Sequence, residues 1–209
     1  MKRILLIMTA LLLLLPAARA DIVGVTQEEG YIHRYEAPNG QSLYFASPLE
    51  EPWIEFQDVN FDGVEDIVIL TILGASNAFY EFFVWNGGEY VRANRPDGSA
   101  IINYALDERG YVYSRGSNGM AGALFEARIF RWQGSDLIPV RTMVSQEETT
   151  TRWEEDEQVF ITTTRLDRIT VRLWGDQEEP LWEATFAPEQ KSYTMFEEME
   201  TRLWEGLGG

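Results

Sequence analysis

Hydrophobic and polar positions alternate along most of the chain, which is the pattern of half-buried strands. Tyr31-Ile32-His33-Arg34-Tyr35 alternates first. Pro38-Asn39-Gly40 then signals a turn, and Gln41 to Ala46 reads as the returning strand of a hairpin. Trp53 to Phe56 is a short strand. Ile67 to Leu73 is a nearly continuous apolar run, so it is expected to be a central strand covered on both faces. Phe79 to Trp85, Asn86-Gly87-Gly88 and Glu89 to Arg92 form one hairpin pattern. Leu124 to Trp132, Gln133-Gly134-Ser135 and Asp136 to Arg141 form another. Gln146 to Gln158 is polar and acidic around Thr149-Thr150-Thr151, and reads as an exposed hairpin tip or edge. Val159 to Leu166, Ile169 to Leu173 and Leu181 to Phe186 alternate as three further strands. After Pro188 the period changes. Met195, Phe196, Met199, Leu203 and Trp204 recur at helical spacing, which predicts one amphipathic C-terminal helix with a core-facing stripe.

The two central hairpins share W-[NQ]-G-[GS] and a closing Val-Arg, and each is preceded by Ser-Asn, at Ser76-Asn77 and Ser117-Asn118. Trp174-Gly175-Asp176 reads as a weaker third copy. Strands separated by Gly turns at this spacing suggest repeated meanders. The expected fold is all-β and antiparallel, propeller-like or sandwich-like, with the helix at its end.

Residues 1–20 have the pattern of a secretory signal peptide: basic Lys2 and Arg3, an apolar run from Ile4 to Leu15, then Ala18-Arg19-Ala20. The run is too short for a membrane span. Residues 21–209 are then expected to be one β-rich domain exported to the periplasm. Loss of Lys2, Arg3 and Arg19 takes the formal charge from −17 to −20. Charge of that sign argues against nucleic-acid and anionic-membrane partners and fits cationic partners, metal ions or plain solubility. No cysteine is present, so an exported fold of this chain has no disulfide to lean on.

The sharpest chemical signal is Asp58-Val59-Asn60-Phe61-Asp62-Gly63-Val64-Glu65-Asp66, which reads D-x-N-x-D-G-x-x-D. Oxygen side chains packed this closely repel one another unless a cation lies between them. Ca²⁺ accepts six to eight oxygen ligands from a flexible loop, and is the expected ion. A tight polar turn without metal is the alternative. Ile69 stands where an EF-hand has its twelfth-position Glu, and a strand pattern follows, so the loop is not an EF-hand.

The loop and the strand after it resemble the calcium loops of FG-GAP or VCBS-like repeats. That resemblance implies side-chain ligands from Asp58, Asn60, Asp62 and Asp66 and the carbonyl of Val64, with Phe61 and Ile67 pointing into the core and Glu65 into solvent. With Gly74 to Tyr80 and Val84-Trp85-Asn86-Gly87, the region from about 53 to 142 resembles a wider group of periplasmic proteins. The group includes immunity proteins of bacteria-killing type IV secretion systems, similar in fold to periplasmic lysozyme inhibitors. It implies a Ca²⁺-binding β protein that blocks a lysozyme-like hydrolase with a loop. The matching segment here is Ser114 to Gly122, expected as an exposed Gly-rich loop, with Ser114, Gly116, Ser117, Asn118 and Gly119 as candidate partner contacts. It lacks a Tyr of its own, although Tyr111 and Tyr113 precede it. A plain hairpin connection is the alternative.

Signals for catalysis are few. His33 is the only histidine, there is no Cys, and no G-x-S-x-G or zinc-ligand spacing occurs. The expected function is therefore binding, with a cationic lysozyme-like hydrolase as the specific partner and Ca²⁺ as the cofactor. A cell-envelope structural or glycan-binding module is the second reading, and an enzyme the third.

Overall fold

The computed structural model of the chain describes residues 19–26, 30–119, 124–154, 158–187 and 193–208. The expected signal peptide falls almost wholly outside them. Among the described residues, fourteen strands and one helix follow in order. β1 (Asp21–Val25), β2 (Tyr31–Glu36) and β3 (Ser42–Ser47) form a three-stranded antiparallel sheet. β4 (Trp53–Gln57), β5 (Asp66–Leu73), β6 (Ala78–Trp85) and β7 (Tyr90–Arg92) form a second, with β8 (Ile101–Ile102) pairing to β6. The third has six strands in the order β14-β13-β12-β11-β10-β9. These are β9 (Ala105–Asp107), β10 (Tyr111–Gly119), β11 (Leu124–Gln133), β12 (Asp136–Glu154), β13 (Val159–Trp174) and β14 (Trp182–Phe186). The helix among the described residues, α1, spans Tyr193–Trp204.

The sheets stack in a sandwich-like order, and β5 lies at the centre of it. Its alternate residues serve two cores. Ile67 and Ile69 face the first sheet, among Tyr35, Leu43 and Phe45. Val68 faces the third, among Val112, Phe130 and Leu137. All three β5 side chains are fully buried. Double burial is why this strand has no polar alternation. The outer face of the third sheet forms another core, in which Phe125, Ala127, Ile129, Met143 and Val171 meet Met199 and Leu203 of α1. The expected stripe on α1 is therefore core at those two positions, with Trp204 packed beside them. The side chains of Met195 and Phe196 lie outside the described ones.

The three Trp-Gly signals occupy equivalent places, each at the end of a long strand and followed by a turn. The chain leaving the first hairpin runs against the turn of the second. Asn94 N–H donates to the Ser135 carbonyl at 3.0 Å, and Leu137 N–H donates to the Asn94 carbonyl at 2.8 Å. Val159–Leu166 and Ile169–Leu173, expected as two strands, are one strand, β13. The break between them is absorbed as a bulge, because Glu147 pairs with Ile169 while Glu148 pairs with Arg165.

His33 is fully buried and stacks on Phe45 at 5.2 Å between ring centroids. Its nitrogens approach the backbone of Ser47 and Leu49 but close no hydrogen bond of ordinary geometry. Burial holds its pKa below the usual imidazole value.

Candidate functional site

The acidic loop joins β4 to β5 and is built by its own side chains. Asp58 folds back as a turn-former: Oδ1 accepts the Asp62 N–H at 3.1 Å and Oδ2 accepts the Gly63 N–H at 2.9 Å. Asn60 Oδ1 accepts the same Asp62 N–H at 3.1 Å, and its Nδ2 donates to Asp62 Oδ2 at 2.9 Å. Asp62 Oδ1 in turn accepts the Val64 N–H at 2.8 Å. Gly63 has φ +87°, a left-handed conformation that a side chain would strain.

Asp66 does something different. It is fully buried at the start of β5. Its Oδ2 accepts the N–H groups of Val59 and Asn60 at 3.0 and 3.3 Å, and its Oδ1 accepts the Trp85 N–H at 2.8 Å. One carboxylate thus ties both ends of the loop to β6. Loss of solvation pushes its pKa up to about 6, against the pull of those three N–H groups. The Trp132 indole adds a tie from the third sheet, donating to the Val59 carbonyl at 2.6 Å. The first two Trp-Gly repeats therefore converge on this loop, one through its backbone and one through its ring. Only the repeat spacing hinted at that.

Phe61 corrects one expectation. It is 38% exposed at φ 63°, so it does not enter the core. Val59, fully buried, takes that place, since the tight turn after it swings residue 61 outward. Ile67 is buried and Glu65 exposed, in line with the pattern.

The donors suit a hard cation in kind, because all are oxygens. Asp58 Oδ1 and Asn60 Oδ1 converge on one backbone N–H, that of Asp62, while Asp62 Oδ2 accepts from the Asn60 amide. Asp66 is largely committed to the backbone, with one Oδ1 lone pair left. Among the described residues no three His, Cys, Asp or Glu side chains stand grouped as a metal site. A cavity of about 670 Å³ opens beside the loop, lined by Asn60, Asp62, Trp85, Asn86 and Ser135 among others.

No family model, curated protein or solved structure matches this chain. The likeness to calcium-loop repeats rests on the residues of the loop itself.

The second candidate segment is not the loop that its glycines suggested. Ser114 to Gly119 lie in β10, paired with β11. Residues 120–122 fall outside the described ones. Ser114 is buried, donating to the Ile102 carbonyl at 3.0 Å and accepting the Ile102 N–H at 2.8 Å. At Gly116 a Cβ would stand 2.9 Å from Ile102 Cδ1, so this glycine serves close approach between neighbouring strands rather than a turn. Neither residue is available to a partner. Asn118 and Gly119 are exposed and Ser117 is half-buried.

Beyond Tyr113, where β9 ends its pairing, the edge of β10 is completed by side chains. Asn103 Nδ2 donates to the Arg115 carbonyl at 3.0 Å. Asn77 clamps Ser117 on both sides: Oδ1 accepts its N–H at 2.8 Å and Nδ2 donates to its carbonyl at 2.9 Å. The Ser-Asn of the first repeat thus holds the Ser-Asn of the second. Ser117 stands with Tyr113, Arg115, Asn103 and Glu200 on a cavity of about 440 Å³ floored by Phe125, Met143 and Met199.

Proposed function

We propose that this chain is an exported, Ca²⁺-stabilised β protein that acts by binding a cationic protein, with a lysozyme-like peptidoglycan hydrolase as the specific partner. The observation that carries the reading is the clamp on Ser117. A recognition segment gains affinity when its bound shape is already fixed, because less ordering is left to pay on association. Asn77 and Asn103 fix β10 from outside the sheet, while Asn118 and Gly119 stay exposed beyond the clamp. The formal charge of −17 adds faster encounter with a basic partner. Ca²⁺ would be held by Asp58, Asn60, Asp62 and the Val64 carbonyl, with Asp66 as the remaining donor. Its part is to brace the junction of β4, β5 and β6, not to do chemistry.

The test is biolayer interferometry of the exported chain against a panel of basic lysozymes and secreted peptidoglycan hydrolases. Binding is expected to at least one, and to weaken in Asn118→Trp, which obstructs the exposed edge without touching the core. No binding to any member sinks the reading.

A second reading has its own support. The cavity beside the acidic loop places Trp85 with Asn60, Asp62 and Asn86, an aromatic ring among planar polar groups that suit a sugar. Retention on purified peptidoglycan that disappears in Trp85→Ala would favour a glycan-binding module.

A further inference from the structure

Asn-Gly occurs three times in the chain, at Asn39-Gly40, Asn86-Gly87 and Asn118-Gly119. This dipeptide carries its own chemistry. The glycine backbone nitrogen attacks Cγ of the Asn side chain. A C–N bond forms, the Cγ–Nδ2 bond breaks, and the NH2 group leaves with the glycine amide proton as ammonia. Water then opens the resulting succinimide ring at either carbonyl, giving aspartate or isoaspartate. Glycine favours the step because it has no Cβ to crowd the approach. The Asn carboxamide must be free to swing onto the next nitrogen, and the backbone there free to rotate.

The fold treats the three sites differently. At the first, Gly40 N–H donates to the Ala37 carbonyl at 2.8 Å, which occupies the attacking nitrogen, and Asn39 Oδ1 accepts the Gln41 N–H at 3.1 Å. At the second, Asn86 Oδ1 accepts the N–H groups of Gly88 and Glu89 at 3.1 and 3.0 Å, which pins the carboxamide across its own turn. At the third, among the described residues, the Asn118 carboxamide makes no hydrogen bond, and both Asn118 and Gly119 are exposed. The ladder with β11 also slips here. Ser117 pairs with Phe125 and Gly119 with Leu124, so Asn118 is the extra residue of a bulge. Gly119, at φ +130°, has already left regular strand geometry.

We propose that Asn118 is a spontaneous modification site of this protein, converting to aspartate and isoaspartate in the folded chain while Asn39 and Asn86 are held back. Either product adds a negative charge. Isoaspartate also adds a methylene to the main chain, immediately past the Asn77 clamp on Ser117. Where that edge meets a partner, as proposed above, the conversion limits how long the edge keeps its shape. The chemistry itself does not rest on that reading, and its test needs no partner.

The full chain is incubated in mildly alkaline buffer, folded and in denaturant. Peptides carrying each Asn-Gly are then resolved by mass spectrometry, and isoaspartate is read by an isoaspartate-specific methyltransferase. In denaturant the three sites should convert at similar rates, because glycine follows each Asn. In the folded chain Asn118 should outpace the other two roughly tenfold, since each of those must first break hydrogen bonds. Asn118→Gln should remove the fast isoaspartate signal and leave the slow sites as they were. Asn39 or Asn86 converting as fast as Asn118 in the folded chain, or Asn118 as slow as they are, overturns the proposal. Circular dichroism checks that the chain and the variant stay folded throughout.

Discussion

Replacing Asn77 by Ala tests how the exposed end of β10 is held. The wild-type amide makes two hydrogen bonds with the backbone of one residue, Ser117, at 2.8 and 2.9 Å, across 40 residues of sequence. Ser117 faces Phe125 on its other side, so this edge has no backbone partner in its place. A neutral hydrogen bond contributes about 0.5–1.5 kcal/mol net. Two of them, at a half-buried position that water can partly reach, give an expected loss of about 1–2 kcal/mol. For a chain of this size that lowers Tm by roughly 2–4 °C per kcal/mol. Hydrogen exchange gives the sharper readout. The Ser117 amide should lose about tenfold protection for each 1.4 kcal/mol lost locally, while Val68 and Ile129 in the core keep theirs. Asn77→Asp separates the two bonds. It keeps an acceptor for the Ser117 N–H but sets a carboxylate against the Ser117 carbonyl, so it should be no better than Ala. If Ser117 exchange and Tm stay at wild-type values in Asn77→Ala, the clamp is not holding the strand.

Other outcomes follow from the same geometry. His33 is buried with its pKa below the usual 6.5, so the unfolded chain takes up its proton first. Its contribution to stability is present above about pH 6.5 and is lost as pH falls towards the depressed folded value; denaturant titrations across that range in wild type and His33→Phe should show the difference flattened in the variant. If the acidic loop takes Ca²⁺, saturation at about a hundred times the dissociation constant adds about 2.7 kcal/mol, and chelator should remove that gain in wild type but not in Asp62→Ala. A melting curve indifferent to both ion and chelator would leave the loop a polar turn. Trp132→Phe removes the indole bond to the Val59 carbonyl and keeps most of the ring, so a loss of about 1 kcal/mol is expected in chemical denaturation.

The sequence by itself determined the all-β character, the central strand, the main hairpins and the C-terminal helix. Those are local properties. Alternation, turn residues and an unbroken apolar run act over a few residues, and Ile67 to Ile69 occupy the doubly buried place that such a run requires. The acidic loop was legible for the same reason, since Asp58, Asn60 and Asp62 find partners within five residues of themselves. The tertiary structure decided what depends on distant neighbours. Gly116 looked like part of a loop because nothing nearby in sequence reveals Ile102 pressing against it. Asn77 looked like a repeat marker, and only packing of the second sheet on the third brings its amide to Ser117. Phe61 looked like core, and the turn that ejects it is set by Asp66 pulling on Val59 and Asn60. Side-chain amides and carboxylates that replace a missing strand leave no period in the sequence. Their partners are chosen by the stacking of sheets, which is where the chain's own pattern stops being informative.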